Sequence, residues 1–237
     1  MNNATTAGEV RAPRVRDPSL RALAALLAYP DAALMAALPD IRAALASDAR
    51  IPGVVRGALG SLLDHFAGAP LLDAQERYVA LFDRGRRTSL HLFEHVHGDS
   101  RDRGQAMVDL NARYEAAGLA LAPGELPDYL PALLEYLCVR DDAEARDMVG
   151  DCAHLVRAIG QALAERGSTY AAALAAILAI AGEAGLDAAP VRGSEPGDDA
   201  ASLDEAWAEP AVLFGPPCAG HPAQPAAQAI QFIRKVA

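Results

Sequence analysis

The chain has 237 residues, 52% of them hydrophobic and 22% charged, with a formal net charge of −10. That length allows one substantial core with tails, and the apolar share is that of a chain that folds in water. An acidic net field opposes binding to a polyphosphate, which argues against a nucleic-acid binder, and it favours the approach of a partner that carries a basic segment.

Residues 1–16 are polar, basic and weakly patterned, and are expected to be disordered. They hold no apolar run of the length a signal peptide needs, so export is not expected. Asp17-Pro18 opens a first helix as N-cap and N1, with Leu20, Leu23, Ala24 and Leu27 as its apolar stripe, and Tyr29-Pro30 ends it. A second helix, from about 31 to 47, carries Leu34, Leu38, Ile41 and Leu45 at helical spacing, and Pro39 predicts a kink or a division into two pieces. A third runs from 52 to 66 through Val55, Leu59, Leu62, Leu63 and Phe66, and a fourth from 73 to 82 turns Tyr78, Leu81 and Phe82 inward.

After the arginine-rich residues 84–87, the stretch 88–96 reads as one short helix ended near Gly98. A long helix follows from about 102 to 117, with Met107, Leu110, Tyr114 and Ala117 on one side and Gly118 just past its end. The loop LAPGELP leads to Pro127-Asp128, which restarts the chain as a helix to Val139 through Leu130, Leu133, Leu134 and Leu137. Residues 143–166 and 170–181 supply two more helices. The sustained β-branched alternation of strands is missing throughout, so the expected fold is all-α: a globular bundle of about eight to ten helices over residues 17–182.

The character changes at residue 183. From there to 209 the carboxylates Glu183, Asp187, Glu195, Asp198, Asp199, Asp204, Glu205 and Glu209 face the single base Arg192 among alanine, proline and glycine. Such composition buries too little apolar surface to offset its ordering entropy, and 183–237 is expected to be a partly disordered acidic tail. Within it 202–214 is a candidate contact segment, through Leu203, Trp207, Val212, Leu213 and Phe214; Trp207, the chain's only tryptophan, is expected either to pack back on the bundle or to meet a partner. The most apolar run, from Tyr170, is interrupted at Gly182 and falls short of the roughly 20 residues that span a bilayer.

RGRRTSLHLFEHVHGDSRDR, residues 84–103, holds His91, His95 and His97 among five arginines. The zincin motif H-E-x-x-H is absent, since the order here is H-L-F-E-H, yet His91, His95 and His97 with Asp99 define one alternative, a small metal-dependent hydrolase of helical fold. Crowded guanidinium groups oppose a dication there. The other reading gives the histidines to helix-face hydrogen bonds. No nucleophile elbow, phosphate loop or dinucleotide motif occurs, and Cys138, Cys152 and Cys218 form no C-x-x-C pair. The residues therefore point away from a standalone enzyme.

Two surfaces of opposite character remain. Arg86, Arg87, Arg101 and Arg103 suit phosphate or carboxylate groups, or else cap helices and pair with nearby aspartates. GELPDYLPALLEYLCVRDDAEARD combines an acidic majority with Tyr129, Leu130, Leu133, Tyr136 and Leu137, a pattern that fits either core or a groove for a basic amphipathic peptide. A generic helical peptide-binding regulator would share these features.

The stretches YVALFDRGRRTSLHLFEHVHGDSRDRGQAMVDLNARYEAAGL (78–119) and ELPDYLPALLEYL (125–137) resemble the NarJ family of redox-enzyme maturation chaperones, with an outline match from about 19 to 180 and a weaker one near Trp207, Glu209, Val212 and Phe214. The resemblance implies a cytoplasmic all-α chaperone specific to the catalytic subunit of respiratory nitrate reductase. It implies binding of the immature subunit, in part through its N-terminal segment, assistance with insertion of bis(molybdopterin guanine dinucleotide), and delay of docking to the membrane anchor. No stably bound cofactor is implied; contact with the molybdenum cofactor is transient, and proteins of its biosynthesis are further candidate partners. The wider superfamily's E-x-P-D-H stretch falls on Glu125, Pro127 and Asp128, with Tyr129 where histidine is usual. On this basis Glu125, Pro127, Asp128, Tyr129, Leu133 and Tyr136 are the expected client-peptide residues. Arg86, Arg87, His91, His95, Arg101 and Arg103 are the expected contact for a second client surface or for the cofactor's phosphates.

Overall fold

Asp17 starts the bundle as the sequence predicts. In the computed structural model, which describes residues 14–96 and 101–186 apart from the side chains of residues 101 and 102, its carboxylate accepts from the Ser19 and Leu20 amides at 2.9 and 3.0 Å. Those bonds satisfy two of the amides that every helix start leaves without an internal acceptor, and Pro18 has no amide proton to lose. Helix α1 (Pro18–Leu27) follows. Arg50 holds the cap from outside, with its guanidinium 2.8 Å from Asp17 and 2.6 Å from Asp48. Arg50 keeps the Asp48 carboxyl well below the usual range, at about 2. Just upstream, the Arg16 and Asp17 amides donate to the Cys138 carbonyl at 2.8 and 3.0 Å and Val15 packs on the core. Residues 15 and 16 thus lie against the bundle, although the sequence expects disorder up to residue 16.

Helix α2 (Ala32–Ser47) is capped by Asp31, which accepts from the Leu34 amide at 2.7 Å. It runs through Pro39 as one element, where the sequence allowed a division in two. Pro39 sits on the exposed side, so its missing hydrogen bond falls on the solvent face, while Leu34, Leu38, Ile41 and Leu45 are buried on the other and hold both halves to the core. Helices α3 (Gly53–Gly68) and α4 (Leu71–Phe82) complete the first half.

Residues 86–96 depart from the expected short helix. They form two separate 3-10 turns, Arg86–Thr88 and Leu92–His95, with an antiparallel bridge between His91 and Tyr129 that is the one isolated bridge among the described residues. Helix α5 (Arg101–Ala116) follows, then α6 (Leu130–Leu137), α7 (Asp142–Glu165) and α8 (Ala171–Ala181). α6 begins at Leu130, not at Asp128, because residues 127–129 are used in the bridge.

The described residues hold eight α-helices and no strand. α8, AAALAAILAIA, is buried nearly all round, which suits its lack of a polar face, and α1, α3 and α7 pack about it. At one end Tyr170 gathers Phe66, Tyr78 and Phe82 in edge and tilted contacts with centroids 4.7 to 6.4 Å apart. No described helix is long and apolar enough to cross a membrane. Of the expected tail, 183–237, residues 183–186 are described and lie against α7, and the rest, with the expected contact segment 202–214, lies outside the described residues.

Candidate functional site

The two sequence stretches singled out above fold into each other. The Leu92 amide donates to the Asp128 carbonyl at 3.0 Å, and the Leu130 amide to the Leu90 carbonyl at 2.9 Å, framing the bridge at His91 and Tyr129. Between them the Asp128 side chain is fully covered. One of its oxygens accepts from the Phe93 amide at 3.1 Å and the other lies 3.4 Å from His91 Nδ1. A carboxylate out of water is stable only when its oxygens are satisfied in this way, so Asp128 acts as a staple across 35 residues of sequence. Tyr114 of α5 adds a second tie, its hydroxyl donating to the Pro127 carbonyl at 2.8 Å.

The turn itself is closed by its own small polar residues. Thr88 donates to the Leu81 carbonyl at the end of α4, and the Ser89 hydroxyl to Glu94 at 2.6 Å. His95 Nε2 donates to the Ser89 carbonyl at 2.9 Å. An aromatic row leads outward from the staple: His91 stacks on Tyr129 with centroids 5.2 Å apart, and the Tyr129 hydroxyl lies 2.6 Å from that of Tyr78, which donates to the Leu27 carbonyl at 2.9 Å. Tyr29 meets Tyr78 edge-on at 5.6 Å and is 52% exposed. Burial pushes both the Tyr78 and Tyr129 phenols above their usual range, so neither ionises at neutral pH.

At the rim of this row stand Glu125 and Leu126, both exposed. Glu125 is close enough to act on Tyr129 and on Glu135, whose carboxyl is pushed up by burial first and by Glu125 second. The surface is therefore aromatic in the middle and acidic at the edge.

The expected client-peptide residues divide by depth. Glu125 is exposed and Tyr129 partly so, while Pro127, Asp128, Leu133 and Tyr136 are buried. Leu133 is 1% exposed and belongs to the core. Tyr136 tilts on Tyr114 at 5.1 Å and gives its hydroxyl to Glu144 at 2.7 Å. These side chains hold the frame and do not line an open groove.

The second expected group does not converge either. Arg86 and Arg87 are exposed but diverge, Arg86 donating to the Glu94 carbonyl at 3.3 Å and Arg87 meeting Glu165 of α7 at 3.0 Å. His91 and His95 share no helical face, because each turns a ring nitrogen to a different partner in the protein. Arg103 lies near enough to His91 to oppose its protonation. The side chain of Arg101, and all of His97 and Asp99, lie outside the described residues. Among the described residues no three metal-ligating side chains come together.

Asp128 also sets the charge of His91. Its hydrogen bond to the ring pushes the His91 pKa above 6.5, against the effect of burial. The folded chain therefore holds this proton more tightly than the unfolded one. The resulting stabilisation is fully present below 6.5 and is lost as pH rises through the folded value. Urea midpoints of the unchanged chain and of His91→Gln are expected to draw together between about pH 5.5 and pH 8. A constant difference would remove the His91–Asp128 pair as the source. His65 works in the opposite sense, lowered by burial and by Arg77, so the difference between the two proteins is the readout.

Several working residues escaped the sequence reading: Ser89, Thr88, Tyr29 and the Tyr78 hydroxyl. Thr88-Ser89 is a pair of small hydroxyls set directly before the apolar Leu90, a signal of side chains that bond to the backbone around a turn. The spacing places Tyr78 in the core, where it lies, but carries no signal of its hydroxyl's partners, each 51 residues away.

The described residues thus form an all-helical bundle whose two stapled stretches build a partly exposed surface, aromatic in the middle and acidic at the edge. The comparisons place it further. The family model described as nitrate reductase delta subunit matches residues 48–176, which contain both stapled stretches. The nitrate reductase molybdenum cofactor assembly chaperone NarJ of Escherichia coli (strain K12) is 45% identical over 80% of this chain and 81% of its own length. The probable chaperone NarW of the same strain is 41% identical over 82% and 83%, and the probable NarJ of Bacillus subtilis (strain 168) 31% identical over 69% and 88%. The chain belongs to the nitrate reductase delta subunit family. In that family the named relatives are assembly chaperones, not catalytic enzymes.

Proposed function

We propose that this protein is the dedicated assembly chaperone of a respiratory nitrate reductase, binding the immature catalytic subunit, assisting insertion of the molybdenum cofactor and delaying membrane docking until insertion is complete. The observation that carries the reading is the 45% identity to an assembly chaperone over four fifths of both chains. The protein works in the cytoplasm and catalyses no bond chemistry of its own. Bis(molybdopterin guanine dinucleotide) is cargo that it meets transiently, and proteins of cofactor biosynthesis are further partners.

The N-terminal segment of the catalytic subunit docks on the aromatic surface of Tyr29 and Tyr129, with Leu126 beside it and Glu125 and Glu135 at the edge. Exposed aromatic and apolar area supplies the affinity, and the carboxylates attract the positive end of an amphipathic segment and set its direction. Asp128, Pro127, Leu133 and Tyr136 serve the site by holding Tyr129 and His91 in place. Of the second group, the exposed Arg86 and Arg87 are the candidates to meet a second client surface or the cofactor's phosphates.

Calorimetry against a synthetic peptide of the client's N-terminal segment tests the placement. Tyr29→Ala and Glu125→Arg are both at exposed positions, so the fold is expected to persist by circular dichroism. Each is expected to weaken binding, with Tyr29→Ala costing about 1 kcal/mol or more. Unchanged affinity in both proteins would move the docking surface elsewhere, and a chain that ignores the immature subunit altogether while capturing other proteins would favour a general peptide-binding regulator.

A further inference from the structure

The chain does not leave the bundle where α8 ends. Gly182, at φ 80, turns it back, and residues 183–186 lie along α7. The Glu183 carboxylate lies against Gly150, where an added Cβ would come within 3.5 Å of it. The Ala184 carbonyl accepts from Arg157 at 3.0 Å, and Leu186 covers Gly160 so closely that an added Cβ would stand 2.3 Å from its Cδ2. Gly150, Arg157 and Gly160 form one row along α7, and contact with them in that order sends the chain toward the helix's C-terminal end.

Near that end stand four arginines, Arg84, Arg86, Arg87 and Arg166, with the exposed carboxylates Asp83 and Glu165 among them. Six residues beyond Gly160, about 9 Å along the helix, Arg166 lies against Gly85, where an added Cβ would be 3.2 Å from its Nη2. Arg87 reaches across to Glu165 there at 3.0 Å, Arg84 is exposed, and the exposed Arg86 donates to the Glu94 carbonyl at 3.3 Å. About three extended residues after Leu186 cover the axial part of that distance, and the following residues can pass around the helix end. The sequence that follows, DAAPVRGSEPGDDAASLDEAWAE (187–209), carries Asp187, Glu195, Asp198, Asp199, Asp204, Glu205 and Glu209 against Arg192 alone.

We infer that the acidic segment 187–209 of the same chain docks on the arginine face formed by Arg84, Arg86, Arg87 and Arg166, directed there by the seat of residues 183–186 on α7. Each exposed carboxylate–guanidinium pair is weak, but the short tether from Leu186 gives the segment a high effective concentration at the face. Any anionic partner of these arginines then has to displace the chain's own carboxylates. The contact is a property of the chain alone and does not rest on the chaperone reading.

Trp207 lies inside the acidic segment and is the only tryptophan, so its fluorescence anisotropy in the full chain reports the docked state directly. High anisotropy is expected at low salt, with a clear fall at about 1 M, where the screening length drops to about 3 Å. Arg86→Glu with Arg87→Glu is expected to give the high-salt value already at low salt, and adding Asp198→Arg with Asp199→Arg to that protein should restore the original signal. Leu186→Ser, which leaves every charge in place, should lower the anisotropy at low salt as well. Equal anisotropy in the unchanged chain and the double arginine variant at low salt overturns the proposal, as does a high value that neither salt nor charge reversal moves. A signal that rises with protein concentration also overturns it, since the occupant would then be a second copy.

Discussion

Asp128→Ala is expected to lower the folding stability by about 3 kcal/mol, the cost of withdrawing a buried charged acceptor from its donors. The side chain is wholly covered, and it accepts from the Phe93 amide while its second oxygen stands by His91. Alanine fills neither the space nor the acceptor role, so the turn of residues 92–95 loses the contact that fixes it to the 125–130 stretch. Asp128→Asn keeps one carbonyl oxygen but turns an amide donor toward the other partner, and roughly half the loss is expected. Urea unfolding with unchanged slope checks both values, and a loss under about 0.5 kcal/mol in the alanine protein would show that the two stretches are held by something else. Client affinity is expected to fall in the same protein, through the displaced Tyr129 and His91 and not through a lost contact with Asp128. Comparison with Glu125→Arg separates the two causes, because that exposed substitution leaves the staple intact.

The depth of Asp128 could not be read from the neighbouring residues. In GELPDYLPALLEYL it follows Glu125 by three positions and looks like part of one acidic surface, and the amide it serves is 35 residues away. Leu133 and Tyr136 fit a groove floor or a core equally well by spacing alone, since periodicity reports that a face is covered and not by what. The 88–96 stretch departs from its expected helix for a related reason. Its apolar spacing suits a helix, but the Leu90 carbonyl and the Leu92 amide are taken by residues 130 and 128, which breaks a continuous helical ladder. Where the deciding interactions are local, the sequence was legible: the Asp17 cap, the buried stripe of α2 and the end of α8 before Gly182 all lie within a few residues of the elements they shape. The family, too, was legible, because its two stretches are contiguous runs whose order along the chain does not depend on how they pack.

Tyr114→Ala is expected to cost about 4 kcal/mol, the range of large aromatic truncations in a core. α5 is polar over most of its surface, with Val108 63% exposed and with side-chain bonds that run within the helix, Gln105 to Asp109 and Asn111 to Glu115, each at 2.8 Å. Leu110 and Tyr114 are its buried residues among those described, so the helix is attached along a narrow edge. The Tyr114 ring lies on Tyr136 and its hydroxyl on the Pro127 carbonyl, directly before Asp128. Burial pushes the phenol far above its usual range, which keeps that hydroxyl a donor at any pH the fold survives. Tyr114→Phe removes the hydrogen bond alone and is expected to cost about 1 kcal/mol. In Tyr114→Ala the amides of α5 are expected to exchange hydrogen much faster, while those of α7 and α8 follow the smaller global loss. Equal cost in the two proteins would assign the anchoring to the hydroxyl and not to the ring. Exchange that rises evenly through all helices would mean that α5 opens only with the whole bundle, leaving the stapled stretches no independent motion through which a client could be admitted or released.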